Sequence, residues 1–374
     1  MIRAALLLAL VGCKDKQPPA PAPAPVPAKP VGAPSGVTIE PAASKLPGEL
    51  WFIDDGSPRR VLALARGKAR EIGKGSDDVF GDLYPTPHRL RDGRTLAIAS
   101  HGDGRPDGER LVVISNTGSI ATLGDPAMQV RDPTLSPDGS WIVAAVQTDG
   151  ITNLALIEVA SGASKPLTTN REGNFMPIAI SKDAIAFVSS RDGDSEIYRM
   201  NVDGTKVQRL TAFHRDDFDP AIDSTGTQLA FTSDREQKVP RIFAVVPDGT
   251  GVRRMTTRSD AAEEGTVVWS PKSPRAYAYS LKRDGHALVV AVDGATETVL
   301  TPPNANDTEA IFSPDGKWLA LVRYRDAAAP IGSNAPHAHD HDSSPAELVA
   351  YPLPAGSGEP IVVARGAIRT PRWF

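Results

Sequence analysis

Three histidines and two aspartates crowd into six positions, His337-Ala338-His339-Asp340-His341-Asp342. Imidazole nitrogens and carboxylate oxygens at that density could ligate Zn²⁺, Ni²⁺ or Cu²⁺. The cluster falls in a polar stretch of loop composition. A loop without outer hydrogen bonds to fix its ligands binds metal only loosely. A divalent metal ion is therefore a candidate ligand, and no cofactor is required.

A second set of acids, Asp132, Asp219 and Glu309, occupies equivalent places in an internal repeat, just before an apolar strand. A partial acidic ring would attract a cation or a basic peptide; solvated turn residues are the alternative. Two further groups, Asp103, Asp107, Glu109 and Asp192, Asp194, Glu196, lack the full spacing of a calcium loop, and hairpin turn chemistry accounts for them. No G-x-S-x-G, H-E-x-x-H or P-loop occurs, and Gly73-Lys74-Gly75 runs on to Asp78 where a dinucleotide fingerprint wants glycine. No catalytic residue is assigned. The formal net charge is -4 and no basic stretch interleaves with aromatics, which argues against nucleic acid as a partner.

Cys13 is the only cysteine, so no disulfide forms within the chain. Arg3 precedes a short apolar run over 4–11, far below the roughly 20 residues of a membrane-spanning helix. The run ends in Leu10-Val11-Gly12-Cys13, which resembles the lipobox of bacterial lipoproteins. That resemblance implies a signal peptide over 1–12 and lipidation of Cys13. Lys14 after the cysteine favours the outer membrane, with the protein facing the periplasm. Several acyl chains, at about 0.8 kcal/mol per buried CH₂, hold a domain stably at a bilayer. Residues 13–46 then read as a tether. Its stretch QPPAPAPAPVPAKPVGAPSG, residues 17–36, is too rich in proline for helix or sheet and reads as extended polyproline II.

These residues must be positioned by many short strands. There are 34 Pro and 32 Gly, and β-rich runs alternate with turn residues. One pattern recurs over 47–374. Its clearest copies hold Pro133-Thr134-Leu135-Ser136-Pro137-Asp138-Gly139 and Ile311-Phe312-Ser313-Pro314-Asp315-Gly316; weaker ones lie at 87–93, 177–183, 220–226 and 267–271. In each unit a Ser-Pro-Asp-Gly turn leads into an apolar strand, and a later strand ends in an Asp-Gly turn such as Asp203-Gly204. A fourth strand ends in Thr168, Thr211, Thr256 or Thr301, spaced 43, 45 and 45 residues apart. A unit near 45 residues fits one four-stranded propeller blade.

The stretch SSRDGDSEIYRMNVDGTKVQRLT, residues 189–211, closely resembles the WD40-like repeat of TolB and its relatives. The resemblance covers about 47–374 and implies an all-β propeller of four-stranded antiparallel blades. TolB itself carries an α/β domain ahead of its propeller, where this chain has the proline-rich stretch.

The ends bear on the blade count. Residues 49–55 resemble a second strand with no first strand before it, and residues 370–374 resemble a first strand, so the last strand would complete the first blade. That gives seven blades, with six, as in TolB, the alternative. All five tryptophans, Trp51, Trp141, Trp269, Trp318 and Trp373, fall on first or second strands and are expected to pack between blades. The last interval is long, and the extra residues, about 325–345, form a loop insertion that carries the histidines. In a propeller the acids Asp132, Asp219 and Glu309 would lie near one mouth of the central channel. The expected function is a membrane-anchored, monomeric envelope scaffold that binds a protein or peptide. The alternatives are a hydrolase or lyase working in the channel, and metal capture by the histidine loop.

Overall fold

The computed structural model divides into two units, residues 1–32 and 33–374. It describes residues 36–374 apart from 57–58, 73–77, 84–89, 91–92, 102–109, 116 and 326–344. Cys13, most of the proline-rich tether, Pro87 and the histidine cluster at 337–342 lie outside the described residues. Those described are all-β: one 3-10 turn, Pro41–Lys45, interrupts a succession of strands, and there is no α-helix among them.

The strands pair as antiparallel sets of four, each running up and down in chain order. Asp78–Leu83 begins one set, Val130–Leu135 the next, then Asn174–Ala179 and Asp217–Ile222. Two further sets, begun by Glu263–Trp269 and Asn306–Phe312, belong to a nine-stranded sheet. A single parallel bridge, Ala287 to Asn306, joins them. The remaining set combines the two ends of the described chain. Ile368–Trp373 pairs with Leu50–Asp54, which continues through Arg60–Ala65 and Lys68–Ile72. The pairing is tied down locally: Glu49 and Phe374 exchange both backbone hydrogen bonds at 2.9 Å. Gly48, at φ +69°, lets the carbonyl of Phe374 approach where a Cβ would stand 2.2 Å away.

The repeat's consensus residues have local work. In Ser136-Pro137-Asp138-Gly139 the serine Oγ accepts the backbone N–H of Ser140 at 2.9 Å and of Trp141 at 3.1 Å. Ser313 does the same for Trp318, and Asp223 for Thr227 and Gln228. The threonine after the fourth strand turns back on the third: Thr168, Thr211 and Thr301 accept the N–H of Leu154, Ile197 and Val289. Each bond satisfies a strand donor where the short outer strand has run out.

The second and third strands are buried on both faces, so they read as continuous apolar runs rather than alternating ones. Alternation instead selects the neighbour. Trp51 and Ile53 pack with Ala97 and Val112, whereas Leu50 and Phe52 pack with Ala320, Val322 and Leu348. Further clusters join Leu96 to Ile142, Val143 to Phe187, Val188 to Phe231, Ile242 to Tyr279, and Val289 to Leu319. A fully buried side chain of this size contributes roughly 1.5–3 kcal/mol. The tryptophans stand on first or second strands, and three of them cross to another segment. The indole N–H donates from Trp141 to Lys182, from Trp269 to Ala221 and from Trp373 to Pro47.

The packed chain begins earlier than residue 47. Thr38–Ile39 adds a strand to the outer edge of Ile361–Gly366, Glu40 pairs with Arg365, and Ala43 and Leu46 are buried. The sequence expectation placed this segment in the tether, because a two-residue strand has no period to read.

Candidate functional site

Each first strand is broken by a β-bulge at the same place. The register slips at Asp132-Pro133, Met176-Pro177, Asp219-Pro220, Thr266, Glu309-Ala310 and Thr370-Pro371. In the sheet begun by Asp78–Leu83 it slips between Phe80 and Asp82. The recurring proline belongs here, since a bulge is where a strand tolerates a missing N–H. The bulge residue, followed by proline in four of these six strands, stands in the left-handed region: Asp132 at φ 49°, Met176 at 50°, Asp219 at 52°, Thr266 at 43°, Glu309 at 54° and Thr370 at 45°. For non-glycine residues this costs on the order of 1–3 kcal/mol each. Strain repeated at one position, sheet after sheet, marks the inner edge, where first strand adjoins first strand.

The three acids singled out from the sequence are therefore inside the first strands, at the bulge, and not before them as expected. A bulge inserts a residue without changing composition, so the strand starts read too late. In the sheet begun by Asp78–Leu83 the bulge lies at 80–82, and the repeat copy expected at 87–93 lies mostly outside the described residues.

At the bulge Asp132 and Asp219 come within electrostatic reach of each other. Thr266, on the neighbouring first strand, hydrogen-bonds the Asp219 carboxylate, and Asp132, two sheets back, acts on it through its charge. Glu309 reaches the next first strand, where its Oε2 accepts the backbone N–H of Thr370, while Oε1 lies 3.4 Å from the Tyr324 hydroxyl. Burial, with the like charge of Asp132 adding to it, pushes the Asp219 carboxyl up to about 7, against the pull of Thr266. Asp219 as a whole residue is half-buried. Its Oδ2, like the Thr370 Oγ1, is buried with no hydrogen-bond partner among the described residues. Asp132, Asp219 and Glu309 thus share the inner edge, with Asp132 and Asp219 in electrostatic reach of each other. No group of three or more His, Cys, Asp or Glu among the described residues could hold a metal ion.

No family model matches the chain. The TolB homologue of Chlorobium chlorochromatii is 31% identical over 144 residues, which is 38% of this chain and 31% of that protein. TolB from Acinetobacter baumannii superposes with a TM-score of 0.51 at 16% identity, over 87% of this chain and 66% of its own. The chain is similar to TolB over part of its length and shares the β-propeller fold. The fold is shared more widely: an oligogalacturonate lyase from Vibrio parahaemolyticus superposes with a TM-score of 0.58 at 11% identity, over 85% of this chain and 86% of its own.

Sequence reading missed a second set of polar residues in this propeller. At the start of four first strands stand the buried Asn174, Asp217, Glu264 and Asp307. Arginines meet them: Arg191 donates to Asn174 at 2.9 Å, Arg235 to Asp217 at 2.6 Å, Arg241 to Glu264 at 3.3 Å, and Arg323 to both oxygens of Asp307. Burial pushes the Asp307 carboxyl up against the pull of Arg323. Glu196, grouped above with a calcium-like loop, is such a buried acceptor too, taking Thr211, Arg209 and the Phe213 N–H. The available signal was the arginine in Ser190-Arg191 and Asp234-Arg235, two residues past the second strand. Each of these buried groups meets an arginine, although the Asp217 Oδ1 has no hydrogen-bond partner among the described residues, whereas Asp132 and Asp219 act on each other as like charges.

Proposed function

We propose that the chain is a lipid-anchored envelope protein whose propeller, closed as seven blades, binds a protein or peptide segment at its central channel. The seven-blade reading takes the nine-stranded sheet as two blades and the pairing of Ile368–Trp373 with Leu50–Asp54 as the closure. The apolar clusters support it: they link each set of strands to the next and return from Leu348 to Phe52. The anchor reading rests on Cys13 at the end of its short apolar run. Among the described residues no helix is long and apolar enough to cross a membrane. An outer-membrane, periplasm-facing location fits Lys14 and the TolB relatives.

The observation that carries the binding reading is the Asp132–Asp219 approach on strained backbone, with a buried Asp219 oxygen lacking a donor among the described residues. Strain and unsatisfied polar atoms persist where a ligand completes them. Acids so placed attract a segment bearing lysine or arginine. The test is capture from envelope extracts by the full chain and by a variant carrying Asp132→Asn, Asp219→Asn and Glu309→Gln. A partner held by the wild type and lost from the variant is expected; identical recovery by both would sink the reading. The anchor is tested separately. Cys13→Ser should abolish incorporation of labelled palmitate and release the protein from membranes.

A channel-sited lyase or hydrolase is the second reading. It draws on the Asp219 carboxyl near 7, the range in which a general base is most effective. Metal capture by residues 337–342 is a third. Zinc calorimetry on the wild type and on a chain lacking 331–344 decides it, and equal heats would end it.

A further inference from the structure

A cavity of about 450 Å³ opens between the sheet begun by Asp217–Ile222 and the strands Glu263–Trp269, Ala276–Arg283, His286–Asp293 and Thr296–Val299. Its walls include Gln228, Arg253, Met255, Arg275, Tyr277 and Gly294. Two guanidinium groups thus line one cavity, and neither pairs with a carboxylate among the described residues. Arg253 donates to the side-chain oxygen of Gln228, an amide that holds the group in place without cancelling its charge. Nearby acids are engaged elsewhere. Glu297 accepts the Thr257 N–H and the Tyr279 hydroxyl, and Glu264 takes Thr256 and Arg241.

The neighbouring seams explain why the space is there. Lys165, Gln208 and Arg253 are equivalent, each three residues before the buried Thr168, Thr211 or Thr256. Over Gln208 the next sheet hangs a loop closed by the bond from the Val246 N–H to Thr250, and its Asp248 carbonyl accepts the Gln208 amide at 2.7 Å. Arg199 is bonded to Pro247 of the same loop at 3.0 Å. Over the strand that carries Lys165 the next sheet places Asp203-Gly204, where a Cβ on Gly204 would stand 3.7 Å from the Leu167 carbonyl. In the following sheet the hairpin is cut short. Asp293 pairs directly with Thr296, leaving only Gly294-Ala295 to turn the chain. A Cβ on Gly294 would meet nothing within 4 Å. The shortened hairpin stops before the seam, and Arg253 lines an open cavity where the two preceding seams have a turn carrying aspartate.

We infer that this cavity binds an acidic peptide segment, whose Asp or Glu carboxylate lies between Arg253 and Arg275 in the place an Asp-Gly turn fills at the neighbouring seams. The guanidinium groups supply paired donors for one carboxylate, and Met255 and the Tyr277 ring supply an apolar floor for the peptide stem. The assignment rests on the binding-scaffold reading and adds a second contact, opposite in charge to the acids of the inner edge.

The test is fluorescence anisotropy of a labelled peptide of four Asp-Gly repeats titrated with the full chain. Saturable binding is expected, weakened at least about tenfold by Arg253→Ala with Arg275→Ala. Replacing Gly294-Ala295 by Val-Asp-Gly-Thr, which lengthens the hairpin to fill the cavity, should weaken it as much while leaving both arginines in place. Asp219→Asn should leave it unchanged, and a Lys-Gly repeat peptide should not bind. Equal affinity in the double-arginine variant overturns the assignment, as does displacement by inorganic phosphate at the peptide's own concentration, which would mark a free-oxyanion site. A chain that captures envelope proteins yet ignores the Asp-Gly peptide overturns the cavity assignment alone. One that binds this peptide through its arginines yet captures nothing overturns only the scaffold reading.

Discussion

Second strands and first strands obey opposite rules, as two neighbouring sheets show. In Ala184–Ser189 every residue is buried, successive side chains feed different clusters, and Phe187 stacks on Tyr198 at 5.8 Å. The first strand Asp217–Ile222 is bulged, carries Asp219 in the left-handed region, and leaves one Asp219 carboxylate oxygen without a donor among the described residues. Stability is concentrated midway along each sheet, and strain at its inner edge. The fold can tolerate an unfavourable inner edge because the clusters between sheets outweigh it, and that edge is free to serve binding.

The contrast can be broken at its strong end first. Phe187→Ala should cost about 3–5 kcal/mol in urea unfolding, as a large side chain leaves a cavity that close-packed neighbours cannot fill; a loss near 1 would mean the seams are looser than they look. Next comes the inner edge. The folded Asp219 carboxyl holds its proton up to about 7, whereas its ordinary value is 3.8. Between those values the folded state binds more protons than the unfolded one, so this group lowers stability as pH rises from about 4 to 7, and the cost is level above that. Asp219→Asn should therefore raise Tm by about 2–4 °C at pH 8, with the gain shrinking as pH falls to 4. A gain independent of pH would show that Asp219 is not held protonated.

Ser136→Ala removes an acceptor from two backbone N–H groups and should cost about 1 kcal/mol, read by the same unfolding curves. The smallest effect is expected of Thr266→Asn. Asparagine tolerates the left-handed conformation better than a β-branched residue, so a gain of about 0.5 kcal/mol should appear in Tm. A clear loss would assign Thr266 more to its bond with Asp219 than to its strain.

The repeat, its turns and the four-stranded unit were legible because they are local. Ser-Pro-Asp-Gly dictates a turn whatever surrounds it, the apolar runs are long enough to see, and the threonines mark each unit's end. The orphan strand character of residues 49–55 and 370–374 even announced the pairing of the two ends. Bulges were not legible, since an added residue leaves composition untouched; hence Asp132, Asp219 and Glu309 were placed before their strands. The short strand at Thr38–Ile39 had no pattern to show, and nothing local marked Asn174, Asp217, Glu264 and Asp307 as buried, because that depends on Arg191, Arg235, Arg241 and Arg323 reaching them from elsewhere in the chain.

By itself, then, the sequence determined the unit, its length and the residues that turn and latch each strand, because those depend on neighbours a few bonds away. Only the tertiary structure decided that Asp132 and Asp219 come within reach across two sheets, and that Arg253 and Arg275 share an open seam. Both depend on how far one loop or bulge reaches toward the next sheet. A change of two residues in a hairpin alters that reach without disturbing the repeat.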